Sequence, residues 1–181
     1  AYLKSRGERV EYKLPSVEGF KVDDTSRTIE VEVVNREAAP RYAGITVSGC
    51  KIAPSPEWMQ NELRAAGINP KNNLVDITNY VLHEVGQPLH AFDAAKITGN
   101  KVIVRRAEEG EKFVTLDGVE RTLSAADLMI ANTEKSMCLA GVFGGEESGV
   151  TENTVDVFLE SAYFNPVSIR KSSKRHTLKT D

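Results

Sequence analysis

The sequence predicts an α+β domain in which layered β-sheets carry packed helices, and three observations predict it. A strict apolar–polar alternation opens at Ile29, two capped helical patterns follow it, and beyond Pro88 the chain becomes a string of short apolar runs. With 181 residues and 40% hydrophobic content, the chain is long enough to bury one sizeable core. No apolar run approaches the roughly 20 residues that cross a bilayer. The basic start, Ala1 to Arg6, lacks the apolar stretch of about 7–15 residues found in a secretory signal. A cytoplasmic protein with no membrane partner is the expectation.

Residues 1–27 mix polar residues with Gly7, Pro15 and Gly19 and read as a connector from a preceding domain, leaving 28–181 as the domain proper. Ile29-Glu30-Val31-Glu32-Val33 alternates with period two, and Tyr42 to Cys50 follows with Ile45 and Val47, which predicts two half-buried strands. Ser55-Pro56-Glu57 offers an N-cap, a first-turn proline and an acid, and Gly67 sits where a left-handed residue is wanted. That predicts a helix over 56–66 with Met59, Leu63 and Ala66 as its apolar stripe. Asn72 and Gly86 bracket a second helix, with Leu74, Ile77, Val81 and Val85 on one side and Asn79 and His83 on another.

After Gly86-Gln87-Pro88, His90 falls on a loop fixed by proline. Strand-like runs follow at Lys101 to Arg106, Phe113 to Leu116, Arg121 to Leu123, Leu128 to Ala131, Met137 to Phe143 and Val155 to Glu160. Asp117-Gly118 marks a hairpin turn between two of them. Asn165-Pro166 repeats the cap-plus-proline start and opens a basic final helix.

Charge and motifs narrow the chemistry. Arg170 to Lys179 carries five cations and no acid, leaving −8 for the rest of a chain whose net charge is −3. A domain that meets a polyanion at one place has this pattern, and so does a solvated helix face. The two cysteines, Cys50 and Cys138, read as free thiols, and with His83, His90 and His176 they form no zinc spacing, so no metal is expected. There is no phosphate-binding loop, nucleophile elbow or His-Glu-x-x-His helix. What remains is a loop histidine at a pKa fit for handling water, a glycine cluster that lets a ligand approach backbone, and Glu160 ending an apolar run. Sequence chemistry alone leaves Glu160 either solvated or accepting a buried hydrogen bond.

Several stretches in order carry a resemblance: Val75-Asp76-Ile77-Thr78-Asn79-Tyr80-Val81, Gly86-Gln87-Pro88-Leu89-His90-Ala91-Phe92-Asp93, Leu116-Asp117-Gly118, Gly141-Val142-Phe143-Gly144-Gly145, and Arg175-His176 with Thr180-Asp181. From about Tyr42 onward the chain resembles the editing module of the bacterial phenylalanyl-tRNA synthetase beta-subunit family. The resemblance implies a β-sandwich of unusual topology with helices on one side. It implies post-transfer editing: hydrolysis of tyrosine wrongly esterified to the phenylalanine tRNA, because a pocket built for phenylalanine rejects an added hydroxyl poorly. The family pocket maps to Thr78, Asn79, His90, Gly144, Glu160 and Thr180, with His90 and Asn79 handling the water and the others contacting substrate.

The expected partners are the tRNA 3′ end, tyrosine or a related aromatic amino acid, and the alpha subunit of a heterotetramer. No cofactor is expected in the domain, while ATP and magnesium belong to the whole ligase. The chain departs from the family at His83, usually apolar, and at Thr177, usually glycine. The family motif also runs on beyond Asp181, so the chain reads as a piece truncated at its C-terminal end. A module of the same subunit that only binds tRNA or braces the structure is the alternative, followed by a sensor of aromatic amino acids.

Overall fold

A computed structural model describes residues 2–11 and 16–179, with side chains from residue 4 onward. The leading segment is exposed and irregular apart from one helical turn, α1 (Tyr2–Ser5). The strands are β1 (Glu30–Val33), β2 (Arg41–Val47), β3 (Leu89–Asp93), β4 (Lys101–Arg106), β5 (Lys112–Val114), β6 (Glu120–Thr122), β7 (Leu128–Ala131), β8 (Ser136–Leu139), β9 (Phe143–Gly144) and β10 (Val157–Tyr163). The longer helices are α2 (Glu57–Ala65), α3 (Asn73–Val85) and α4 (Pro166–His176).

Strands distribute over a five-stranded sheet, β1-β4-β7-β8-β9, a three-stranded sheet, β2-β10-β3, and the β5-β6 hairpin. The two alternating strands of the sequence therefore part company. β1 pairs in parallel with β4, and β2 pairs antiparallel with β10. Val102, Val104, Leu128, Ile130 and Cys138 of the larger sheet meet Phe92 and Phe158 of the smaller one in the main core. Met129 and Leu139 point the opposite way, into a second cluster with Phe113 and Leu123. The larger sheet is thus covered on both faces, which explains why Leu128–Ala131 is apolar without alternation and wholly buried.

The caps follow the sequence with one exception. The Asn72 side chain accepts from the Val75 amide, Gly86 closes α3 in the left-handed region, and the Asn165 side chain accepts from the Val167 and Ser168 amides. Ser55 does not cap α2. It is buried, and its hydroxyl donates to Asp76, the one buried residue of α3. A carboxylate at 1% exposure requires donors, and it takes this one together with the Lys71 amide. Consequently Ile77 and Val85, expected on the inner stripe, are 41% and 47% exposed.

α2 and α4 end in the same Schellman closure. Ile68 N–H reaches Leu63 C=O at 2.9 Å past Gly67, and Leu178 N–H reaches Ser173 C=O at 2.9 Å past Thr177. Thr177 holds φ at 54°, a region costly for a β-branched residue. The fit of Leu178 against the second core cluster and the grip on Asp127 hold it there. Asp127, with 0% exposure, accepts from Ser172 Oγ at 2.6 Å, His176 Nε2 at 2.8 Å, the Ser124 amide at 3.0 Å, and the Arg175 guanidinium. Part of the basic tail is therefore a clamp that fastens α4 to the body.

Candidate functional site

Register builds the site. In the smaller sheet Glu160 stands opposite Gly44 on one side and His90 on the other, while Tyr42, Phe92 and Phe158 lie two residues along on the same face. That face looks into the sandwich. In the larger sheet the inward row Val33, Val104, Ile130, Cys138 ends at Gly144 on the edge strand β9. The ends of the two rows meet: a β-carbon added at Gly144 would stand 3.3 Å from His90 Cε1 and 2.8 Å from Leu116 Cδ1. The glycine leaves this gap open. Gly141 serves a different purpose, turning β8 into β9 at φ 64°.

His90 lies within strand β3, not on a loop, because its backbone is taken up by pairing with β10. The residue is half-buried, but its Nε2 is sealed and has no hydrogen-bond partner; it is the one such side-chain atom among the described residues. Its ring packs edge-on against Phe92 with centroids 4.4 Å apart. Burial pulls its pKa down to about 4, so the imidazole is neutral at physiological pH.

Glu160 is 6% exposed, which resolves the choice the sequence left open: it is inside. Burial pushes its pKa up to about 7, partly offset by a hydrogen bond from the Tyr42 hydroxyl to Oε2 at 2.8 Å. The other oxygen, Oε1, has no hydrogen-bond partner among the described residues. Burial and the neighbouring carboxyl push the Tyr42 phenol up, so it stays a neutral donor. Burial likewise raises the Cys138 thiol, with Glu160 adding to the effect.

Among the remaining sequence candidates, Thr78 and Asn79 are half-buried on α3, which packs against β3. Thr78 Oγ1 is committed to the Val75 carbonyl at 2.7 Å, and no hydrogen bond joins either residue to His90 or Glu160. Thr180 lies outside the described residues. Sequence reading missed Tyr42, which reaches Glu160 across 118 positions, and Leu116, which it noted only within a turn motif. Among the described residues no group of three His, Cys, Asp or Glu side chains is arranged to hold a metal ion, and no helix is long and apolar enough to cross a membrane.

A separate open cleft of about 690 Å³ lies beyond Gly145, lined by Arg105, Glu111, Lys135 and Glu147 among others. Two ion pairs cross it, Arg105 with Glu111 at 3.1 Å and Lys135 with Glu147, whereas the sandwich edge holds the sealed, unpartnered Nε2 of His90.

Residues 38–181, which contain the whole smaller sheet and the edge where Glu160, His90 and Gly144 converge, match the B3/4 domain, and the chain belongs to that family. Over 181 residues it is 59% identical to the phenylalanine–tRNA ligase beta subunit of Bacteroides thetaiotaomicron, covering 100% of this chain and 22% of that protein. The beta subunit of Bdellovibrio bacteriovorus is 51% identical over 173 residues, covering 94% of this chain and 21% of its own length. The chain thus spans about a fifth of the length of the curated relatives it matches. An N-terminal fragment of the phenylalanyl-tRNA synthetase beta subunit from Pyrococcus horikoshii shares the fold, with TM-score 0.58 at 18% identity over 88% of this chain and 48% of the fragment.

Proposed function

We propose that the domain is a post-transfer editing site, hydrolysing tyrosine wrongly esterified to the phenylalanine tRNA within a phenylalanyl-tRNA synthetase beta subunit. One observation carries the reading: Glu160 is a buried carboxyl that already accepts one phenol, from Tyr42, at the edge where His90 and Gly144 face each other. A site of this composition suits a second phenol. A tyrosyl side chain donates to the carboxyl's free oxygen, whereas a phenylalanyl side chain leaves that oxygen desolvated and unpaired, at roughly 1–3 kcal/mol. That is a preference of about tenfold or better.

Water attacks the ester carbonyl and the bond to the ribose oxygen breaks; one proton of the water goes to the ribose oxygen, which recovers its hydroxyl, and the other passes to solvent as tyrosine leaves as its carboxylate. His90 presents its ring edge at the Gly144 gap and accepts a hydrogen bond at a ring nitrogen from the water or the terminal ribose hydroxyl. An imidazole titrating near 4 is a weak base, so it positions the nucleophile more than it deprotonates it. Asn79 offers a carboxamide donor for the oxyanion, with Thr78 and Thr180 as further substrate contacts. ATP, magnesium, the alpha subunit and phenylalanine ligation belong to the parts of the full-length protein that this chain does not span.

The test is deacylation of tyrosyl- and phenylalanyl-tRNA by the parent, Glu160→Ala, His90→Ala and Gly144→Trp. An editor loses tyrosine preference with the first variant, rate with the second, and entry with the third while remaining folded. A scaffold or a module that only binds tRNA would tolerate all three, and that result would remove the reading.

A further inference from the structure

The open question at the sieve is why one carboxylate with two oxygens would select a side chain with a single hydroxyl. Glu160 is faced by Tyr42 from β2, His90 from β3 and Cys138 from β8. Of these, only Tyr42 bonds to it, through Oε2. Tyr42 is itself held: it packs against the main core, its ring tilts against Phe164 at 6.4 Å, and its strand is locked to β10 by antiparallel pairing. Its hydroxyl is therefore held at one oxygen, Oε2. Oε1 is the oxygen left over.

Building on the editing reading, we propose that Tyr42 is a positioning residue for specificity: its hydroxyl permanently fills Oε2 of Glu160, fixes the carboxylate's orientation, and leaves Oε1 as the single acceptor for the substrate phenol. Two consequences follow. The donor stabilises the ionised carboxylate against burial and lowers the pH at which the charge that strengthens the substrate hydrogen bond appears. The fixed orientation also removes the freedom of the carboxylate to turn towards a substrate lacking a hydroxyl.

Tyr42→Phe keeps the ring and deletes only the donor. In the full-length protein we expect the tyrosyl preference to fall about tenfold, as for one lost hydrogen bond to a charge, with phenylalanyl-tRNA hydrolysis unchanged. The acid limb of the tyrosyl pH–rate profile should move up by about one unit. A carboxyl titration of Glu160 followed by carbon NMR should show the same upward movement without any turnover. A merely structural role would lower thermal stability and leave both pH readouts in place, and that outcome would overturn the proposal.

The two layers fail separately. A parent with tyrosyl preference whose Tyr42→Phe variant keeps preference and midpoint refutes the role of Tyr42 alone. A parent with no tyrosyl preference sinks the editing reading and the specificity role with it. If Tyr42→Phe folds poorly, 3-fluorotyrosine at position 42 keeps the ring and hydroxyl while strengthening the donor. It should move the Glu160 titration down, and no movement would count against the proposal.

Discussion

Asp127 and Glu160 are both buried carboxylates, at 0% and 6% exposure, yet their surroundings push them in opposite directions. Burial opposes ionisation at both. At Asp127 it is outweighed by the Ser172 hydroxyl, the Ser124 amide and His176, which hold the carboxyl below its usual range. At Glu160 one phenol is the whole compensation, and the pKa stays near 7. A scaffold carboxylate has its hydrogen-bonding capacity filled from within the chain, and a recognition carboxylate keeps part of it open. The difference in partner number, rather than in burial, separates clamp from site.

The sharpest way to break this comparison is Asp127→Ala. It strands Arg175 and His176 beside a buried void, and unfolding in urea should show a loss of about 3–5 kcal/mol. A loss below about 1 kcal/mol would mean the clamp is ornamental. Because the Asp127 pKa is lowered on folding, its contribution is present above the unfolded value and is lost as pH falls through the folded one.

Glu160→Gln probes the other side with the opposite sign. The folded pKa is raised from 4.5 to about 7, so the parent's stability from this group is full below 4.5 and is lost as pH rises through 7. The glutamine variant should match the parent near pH 4 and exceed it by up to about 3 kcal/mol near pH 8, read by thermal unfolding across pH. His90 runs against this trend: its pKa is lowered from 6.5 to about 4, so its contribution is full above 6.5 and is lost as pH falls through 4. The variant should therefore also unmask an acid-side loss that Glu160 conceals in the parent. Equal stability of the two proteins at pH 8 would show that Glu160 is not held at a cost.

The smallest effect concerns the clamp's own end. Thr177→Gly relieves a β-branched residue at φ 54°, and the Schellman closure at Gly67 shows the same geometry without the side chain. A gain of about 1 kcal/mol is expected from denaturant unfolding, with deacylation unchanged. A loss instead would mean that the threonine side chain contributes more than its backbone costs.

Much of the fold was legible because caps and turns are local. Gly67, Asn72, Gly86, Asn165 and the Asp117-Gly118 hairpin all act within a few residues of themselves. His90 was misread as a loop residue because Leu89-His90-Ala91-Phe92-Asp93 alternates poorly and follows a proline; its strand exists only through pairing with β10. Ser55 looked like a cap because nothing in its neighbourhood reveals Asp76, 21 residues on, as a buried acid in need of a donor. Glu160 was ambiguous for the same reason, since its burial depends on β2 and β3, both far upstream. The family resemblance selected His90, Gly144 and Glu160, which the register does bring to one edge, but not Tyr42, whose part rests on a single long-range hydrogen bond.

That long reach has a consequence for how the domain comes into being. The three strands of the smaller sheet are drawn from the beginning, middle and end of the domain, and Tyr42 must wait for a partner 118 residues later. At a synthesis rate of about 5–20 residues per second, the interval between the two is on the order of ten seconds. During it β2 has no neighbour and the aromatic face of β3 has no cover. The sheet closes only when β10 slots between them, a high-contact-order event that favours slow folding. A ribosome-bound chain stopped short of Val157 would carry both Tyr42 and His90 and still have no pocket.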